Sequence, residues 1–189
     1  MLNSLLVEDD IKATLLETAL KAHQFNILKT HYSAAFLKFV QETRPDLLIF
    51  NLRSPSEALL ADIQTLNQKS PLPVIMFTLD GRHETLQKAM QAEISAFVVD
   101  GLDSQRINSI IQIGLARFKQ QQILKHALDE ALTQLEDRKQ IDRAKAILIK
   151  TQNYTEDVAY HTLRKLAMDR NITLGEMAKN VIAMADLLK

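Results

Sequence analysis

Four short apolar runs, Ser4–Val7, Leu47–Phe50, Val74–Phe77 and Ala96–Val99, recur through the first half of the chain, and they lack the apolar-polar alternation of a half-exposed strand. Strands of that kind are buried on both faces, which requires a parallel sheet with helices above and below it. A weaker run at Asn26–Lys29 supplies a fifth strand. Amphipathic stretches separate the runs: in Ala13–Ala22, Leu15, Leu16, Ala19 and Leu20 share one face, and Glu84–Gln91 reads the same way. Five strand and five helix units predict a doubly wound, flavodoxin-like α/β domain. Functional groups in such a sheet gather at the carboxyl ends of the strands. Those ends carry Glu8, Asp9 and Asp10, then Asn51, then Thr78, then Asp100.

Asn51 is the odd member of that set, because an amide is neither acid, base nor useful nucleophile. With Glu8, Asp9 and Asp100 close together, repulsion must be relieved by a bound cation, a raised carboxyl pKa or a basic neighbour. Arg53 is the expected neighbour. The pocket reads either as a metal site or as the vestige of one.

From Ser104 onward the strands stop, and the chain turns helical with almost no glycine or proline. Leu124, Leu128, Ala131 and Leu135 follow a 4-3-4 spacing, a short heptad seam, whereas Ile107, Ile111, Gly114 and Phe118 run in another frame. The slip falls near Gln120–Gln122. A long helix cannot bury such a seam alone, so a homodimer through this segment is expected; the alternative is that the stripe packs on the chain's own last helices. Asn153 and Thr155 then break the helix, with Thr155 as N-cap and Glu156 and Asp157 in the first turn of the next. Thr173-Leu-Gly-Glu176 is a capping box that starts a last helix, which buries Leu174, Met177, Ala178, Val181, Ile182 and Ala185. These elements predict a small three-helix bundle.

Composition narrows the function. The hydrophobic content of 47% suffices for packed cores, and the absence of cysteine excludes disulfides and thiol catalysis. The five histidines (23, 31, 83, 126 and 161) have no ligand-like spacing. No apolar run approaches the roughly 20 residues of a membrane span, and MLNSLLVEDD turns acidic where a signal peptide stays apolar; a cytoplasmic protein is expected. Basic and acidic residues balance at 23 each. Between Arg138 and Arg170, however, Arg138, Lys139, Arg143, Lys145, Lys150, Arg164, Lys165 and Arg170 outnumber Asp142, Glu156, Asp157 and Asp169. Taken alone, such a run reads as a solvated face. No nucleophile–base pair or glycine-rich phosphate loop is present, so no enzyme and no cofactor are expected.

Set in order along the strands, Glu8, Asp9, Asn51, Pro55, Thr78, Phe97 and Asp100 resemble the motif of response-regulator receivers. In that family the acidic pair after the first strand holds Mg²⁺, the third strand ends in the phosphorylated aspartate, the fourth in Ser/Thr and the fifth in lysine. Glu8 and Asp9 match the pair, Thr78 the hydroxyl and Phe97 the aromatic switch position. Asn51 stands at the phosphoacceptor site and Asp100 at the lysine site. Transfer onto a carboxylate needs an anionic nucleophile and a fixed cation, so the resemblance implies a pseudo-receiver that is not phosphorylated in the family's way.

The second half resembles the ANTAR domain, the RNA-binding module of bacterial transcription antiterminators. The resemblance covers roughly Leu132 to Leu188 and rests on Arg138, Ile141, Ala144-Lys145, Ile147-Leu148, Ala159-Tyr160, Leu163-Arg164, Ala167-Met168, Asn171 and Ala178; Ala146 departs from a common glycine. The implied organisation is a pseudo-receiver over 1–120, a coiled-coil linker helix over 121–135 and an ANTAR domain over 132–189. The order is similar to antiterminators of the AmiR and NasT type. PVIMFT, Asp100-Gly101, LARF and IAMADLL bring it nearest the nitrate-responsive NasT branch. The resemblance implies that paired stem-loops of a leader mRNA bind through Arg138, Lys139, Arg143, Lys145, Arg164, Lys165 and Arg170, and charge removal at Arg143 or Lys145 is expected to weaken that binding. Tyr160 reads first as a core residue and second as a base-stacking one. The NasT likeness also implies control by a NasS-like nitrate or nitrite sensor protein. A DNA-binding response regulator and an interaction adaptor that has lost RNA are the competing readings.

Overall fold

A computed structural model of the chain describes residues 2–9, 15–100 and 103–187. Asp10, Ala13, Gly101 and Leu188, named above, lie outside the described residues. The chain divides into two compact units, 1–122 and 123–189.

Unit 1 alternates strands and helices: β1 Asn3–Glu8, α1 Leu15–Ala22, β2 Asn26–Thr30, α2 Phe36–Thr43, β3 Leu47–Leu52, α3 Glu57–Lys69, β4 Val74–Thr78, α4 His83–Gln91, β5 Ala96–Val99, and the start of α5, Ser104–Gln152. All strand pairs are parallel, in the order β2-β1-β3-β4-β5. This is the flavodoxin-like winding, whose direction reverses between β1 and β3. The two-residue period of a strand deals its side chains to two cores. Leu5, Val7, Leu48, Phe50 and Met76 meet Phe36, Leu59 and Ile63 on one face. Leu6, Leu47, Ile49, Ile75 and Phe77 meet Leu16, Leu20, Ile107 and Ile111 on the other. Each fully buried Leu, Ile or Phe contributes roughly 1.5–3 kcal/mol. The weakness of the Asn26–Lys29 run has a simple cause: β2 is an edge strand, half-exposed along its length. Gly114 lets α5 lie directly on the sheet, because a Cβ there would stand 3.1 Å from Ile75 Cδ1 and 3.4 Å from Ala96 Cβ.

Unit 2 contains the rest of α5, then α6 Glu156–Asp169 and α7 Leu174–Leu187. Asn153 stops α5 in the left-handed region at φ 53°. Thr155 then caps α6 by accepting the Val158 N–H. Thr173 Oγ1 accepts the Glu176 N–H at 3.2 Å while the Glu176 carboxylate accepts the Thr173 N–H at 2.9 Å, a reciprocal capping box. The bond from that N–H and a second from the Thr173 hydroxyl hold the Glu176 carboxyl below its ordinary pKa. Ala144, Leu163, Ala167, Met177, Ala178 and Ile182 form the buried centre of the bundle. The seam of α5 stays outside it. Leu124, Leu128, Leu132 and Leu135 are 63%, 59%, 55% and 53% exposed, so α6 and α7 do not cover them and the reading of a stripe packed on the chain's own last helices fails there.

Candidate functional site

Register brings the first group together. Glu8 on β1 pairs with Asn51 on β3, and Asn51 Nδ2 donates to Glu8 Oε1 at 2.7 Å. The Glu8 side chain is only 1% exposed, and the Lys29 ammonium lies 2.7 Å from its Oε2. Lys29 also reaches Glu17 on α1 at 3.5 Å, and Lys21 closes on the other Glu17 oxygen at 2.6 Å. Burial works against the Lys29 charge, but the hydrogen bonds and charges of Glu8 and Glu17 outweigh it and raise its pKa. Glu17 is held below its ordinary value, chiefly by the Lys21 hydrogen bond. Arg53 is therefore not the relief that was expected: it is exposed, and its side chain makes no ion pair among the described residues. Its backbone N–H donates to Asp9 Oδ2 at 2.8 Å. Lys29 stands on β2 opposite Leu6, on the same face of the sheet as Glu8 two residues further along β1, so its stem spans the roughly 4.8 Å between strands to the Glu8 carboxylate.

Asp100 does not join this group. It follows β5, is exposed at φ 52°, and gives its N–H to the Thr78 carbonyl at 3.0 Å. Three strand spacings, about 14 Å of sheet, separate β5 from β1. The expected crowding of Glu8, Asp9 and Asp100 is thus corrected by strand order. Among the described residues no three His, Asp or Glu side chains are placed to hold a metal ion.

Thr78 belongs to a second network. Its hydroxyl donates to the Arg53 carbonyl at 2.9 Å and accepts the Asp80 N–H at 3.1 Å. Asp80 is nearly buried and receives Ser54 Oγ at 2.6 Å, Thr85 Oγ1 at 3.0 Å, and Arg82 through Nε at 3.0 Å and Nη2 at 2.7 Å. The Arg82 side chain, then Ser54, hold the Asp80 carboxyl far below the usual range. These bonds tie the loop after β3 to the loop after β4. A cleft of about 460 Å³ opens between the ends of β1 and β2 and the loop after β3, lined by Glu8, Asp9, His31, Tyr32, Leu52, Ser54, Ser56 and Leu59. His31 Nδ1–H donates to the Glu8 carbonyl at 2.7 Å. Tyr32 donates to Asp62 at 2.8 Å, and burial first, then Asp62, pushes its phenol up to about 12. Sequence reasoning missed Lys29 and the Asp80 cluster. Each left a trace: a lysine ending an apolar run at the functional edge, and an Asp-Gly-Arg turn with a threonine five residues on.

In unit 2, Arg138, Lys139, Arg143, Arg164, Lys165 and Arg170 are exposed. Arg143 stands 3.5 Å from Asp186. Lys145 differs: its side chain is 16% exposed and bonds Asp142 at 2.8 Å and Glu156 at 2.9 Å, which pins the start of α6 to α5. Those hydrogen bonds, Asp142 first, raise the Lys145 pKa, and Lys145 lowers that of Asp142. The Lys145 charge is thus already matched within the unit. The reading of Tyr160 as a core residue is corrected. The residue is 38% exposed, with its ring 6.0 Å edge-on from that of His161. Ala159, Leu163 and Ala167 take the inward face of α6, and the next residue along is turned about 100° away. Tyr160, Arg164 and Met168 follow one outer row at four-residue spacing, with His161 and Lys165 beside it.

With this geometry in place, comparison with known proteins is informative. The response regulator receiver domain family matches residues 5–112, and the ANTAR domain family matches residues 129–182. The chain is similar to "Transcriptional regulatory protein PdtaR" in two strains of Mycobacterium tuberculosis, with 24% identity over 139 residues, 74% of this chain and 68% of that one. It is similar to a "Nitrate regulatory protein" of Klebsiella oxytoca, 40% identical over 53 residues, which are 28% of this chain and 13% of the relative. Among solved structures, the signal receiver domain of a modulated diguanylate cyclase from Desulfovibrio desulfuricans superposes with a TM-score of 0.53 at 18% identity over 64% of this chain and 99% of that one. A chemotaxis response regulator of Vibrio cholerae gives 0.52 at 17% identity over 60% and 98%. At these identities the likeness is one of fold.

Proposed function

Because the chain belongs to the response regulator receiver domain family over residues 5–112 and carries an ANTAR domain over residues 129–182, we propose that it is a bacterial transcription antitermination regulator that binds paired stem-loops of a leader mRNA. The outer face of α6 carries this reading. Arg164 and Lys165 supply charge for phosphates there, Tyr160 supplies a ring against which an unstacked loop base packs, and Arg138, Lys139 and Arg170 add to the field. A second copy lies along Leu124, Leu128, Ala131 and Leu135, which covers the exposed seam and presents two RNA-binding faces.

Control comes through a partner protein rather than through phosphate. Asn51 has no nucleophilic oxygen, and its amide is committed to Glu8. The likeness over 53 residues to a nitrate regulatory protein supports a NasS-like nitrate or nitrite sensor as that partner and nitrate assimilation genes as the target. The sensor shifts the population of RNA-competent states through its differential affinity for them. The setting is cytoplasmic, and no helix among the described residues is long and apolar enough to cross a membrane.

The test is binding of the full chain to a two-hairpin leader transcript, to duplex DNA of the same sequence, and to an unstructured RNA. Preference for the hairpins supports the reading; preference for the duplex makes the chain a DNA-binding regulator, and binding to none makes it an adaptor. Co-purification with the sensor, lost on adding nitrate, tests the control.

A further inference from the structure

The pocket at the end of β1 departs from the receiver pattern in a second way besides Asn51. Receivers hold a divalent metal on the acidic pair, and Mg²⁺ requires an octahedron of oxygens at roughly 2.0–2.1 Å, several of them water. Here Glu8 Oε1 accepts from Asn51, Glu8 Oε2 faces the Lys29 ammonium, and Asp9 Oδ2 accepts the Arg53 N–H. The Glu8 side chain is 1% exposed with both oxygens engaged, so it has no free oxygen to give a hydrated metal. The described residues of the pocket do not fit Mg²⁺.

We propose that the Lys29 ammonium is the resident cation of this pocket, taking the place of the divalent metal, so that unit 1 keeps its charge balance without Mg²⁺ or phosphate. The ion pairs among the described residues support this: Lys29 meets both Glu8 and Glu17, and Lys21 meets Glu17. An aspartate at position 51 would add an unmatched negative charge beside Glu8. Asn51 and Lys29 are therefore two halves of one change: the first removes an acceptor's charge, and the second fixes a cation where an exchangeable one would sit. Lys29 sits on β2, Glu8 on β1, Asn51 on β3 and Glu17 on α1, so the network fastens four elements at the functional edge. The inference concerns unit 1 alone and stands or falls apart from RNA binding.

Two experiments on the full chain test it. In the first, Mn²⁺ is added to isotope-labelled wild type and paramagnetic broadening of the Glu8, Asp9 and Asn51 amides is compared with that of Leu66. No excess broadening at the pocket is expected; broadening centred there would overturn the proposal. In the second, wild type and the double variant Lys29→Met/Asn51→Asp are melted with and without Mg²⁺. The double variant, with its acidic cluster restored and its fixed cation gone, should gain about 3 °C or more from Mg²⁺, and wild type no more than about 1 °C. A folded double variant that ignores Mg²⁺, or a wild type stabilised as much as the variant, contradicts the assignment. Should the variant not fold, the Mn²⁺ measurement on wild type decides.

Discussion

The two units use the same charged residues in opposite ways. At the strand edge of unit 1, Glu8 and Asp80 are almost buried, and each meets its counter-charge within the unit, Lys29 for one and Arg82 for the other. On α6 of unit 2, Arg164 and Lys165 are exposed and form no ion pair among the described residues. Burial forces the first arrangement, because an unmatched charge out of water costs several kcal/mol. Exposure permits the second, because water solvates an unmatched cation until a phosphate replaces it. The buried strand edge of unit 1 is electrostatically closed, and the outer face of α6 is open.

Unmatching a buried charge in unit 1 should have the largest effect. Lys29→Met leaves the Glu8 carboxylate buried without its cation and should cost roughly 3 kcal/mol, the low end for a broken buried pair because the lysine keeps some contact with water. Urea denaturation followed by circular dichroism measures it; a loss below about 1 kcal/mol would mean that the network does not hold the sheet edge. Next comes removal of an open charge. Arg164→Ala should weaken binding of the leader RNA by about 1–3 kcal/mol with stability unchanged, as should Tyr160→Ala through lost stacking. Fluorescence anisotropy alongside thermal melting separates the two effects, and a Tyr160→Ala protein that loses stability instead would return that residue to the core.

Lys145 sharpens the comparison from inside unit 2. It is the paired cation there, so Lys145→Ala should cost a few tenths of a kcal/mol of stability, given its exposed partners. Its effect on RNA affinity should be smaller than that of Lys165→Ala. Equal losses at the two lysines would erase the distinction. The smallest effect is a titration. Tyr32 has its phenol pushed up to about 12, so the neutral form is favoured by the fold. Stability from this group is complete below the ordinary tyrosine range near 10 and is lost as pH rises through the folded value. Site-resolved NMR of the Tyr32 ring through alkaline pH checks it, and a midpoint near 10 would show that neither burial nor Asp62 holds the phenol in its neutral form.

The sequence was most legible where burial and periodicity agree. Unbroken apolar runs at Leu47–Phe50 and Val74–Phe77 fall within β3 and β4 because both faces of those strands are covered. The breaks at Asn153 and Thr155 and the Thr173–Glu176 box were readable because capping is local chemistry. Side-chain partnership across the sheet was not readable. Register across the sheet brings Lys29 to Glu8, and strand order puts Asp100 three strands away; neither follows from distance along the chain. Tyr160 was misjudged because an apolar ring next to Ala159 looks like core until the phase of the helix is fixed by Leu163 and Ala167.

On the proposed reading the outer face of α6 offers unmatched cations to RNA while the buried charges at the strand edge of unit 1 are matched, and the salt dependence of binding distinguishes the two. Affinity of the full chain for a two-hairpin leader RNA, measured between 50 and 200 mM salt, should fall on the order of 10- to 100-fold. Arg164→Ala should lower the log–log slope by about 1, while a Lys29 variant that remains folded leaves it unchanged. An affinity indifferent to salt, or a slope that moves with Lys29 and not with Arg164, would contradict the account.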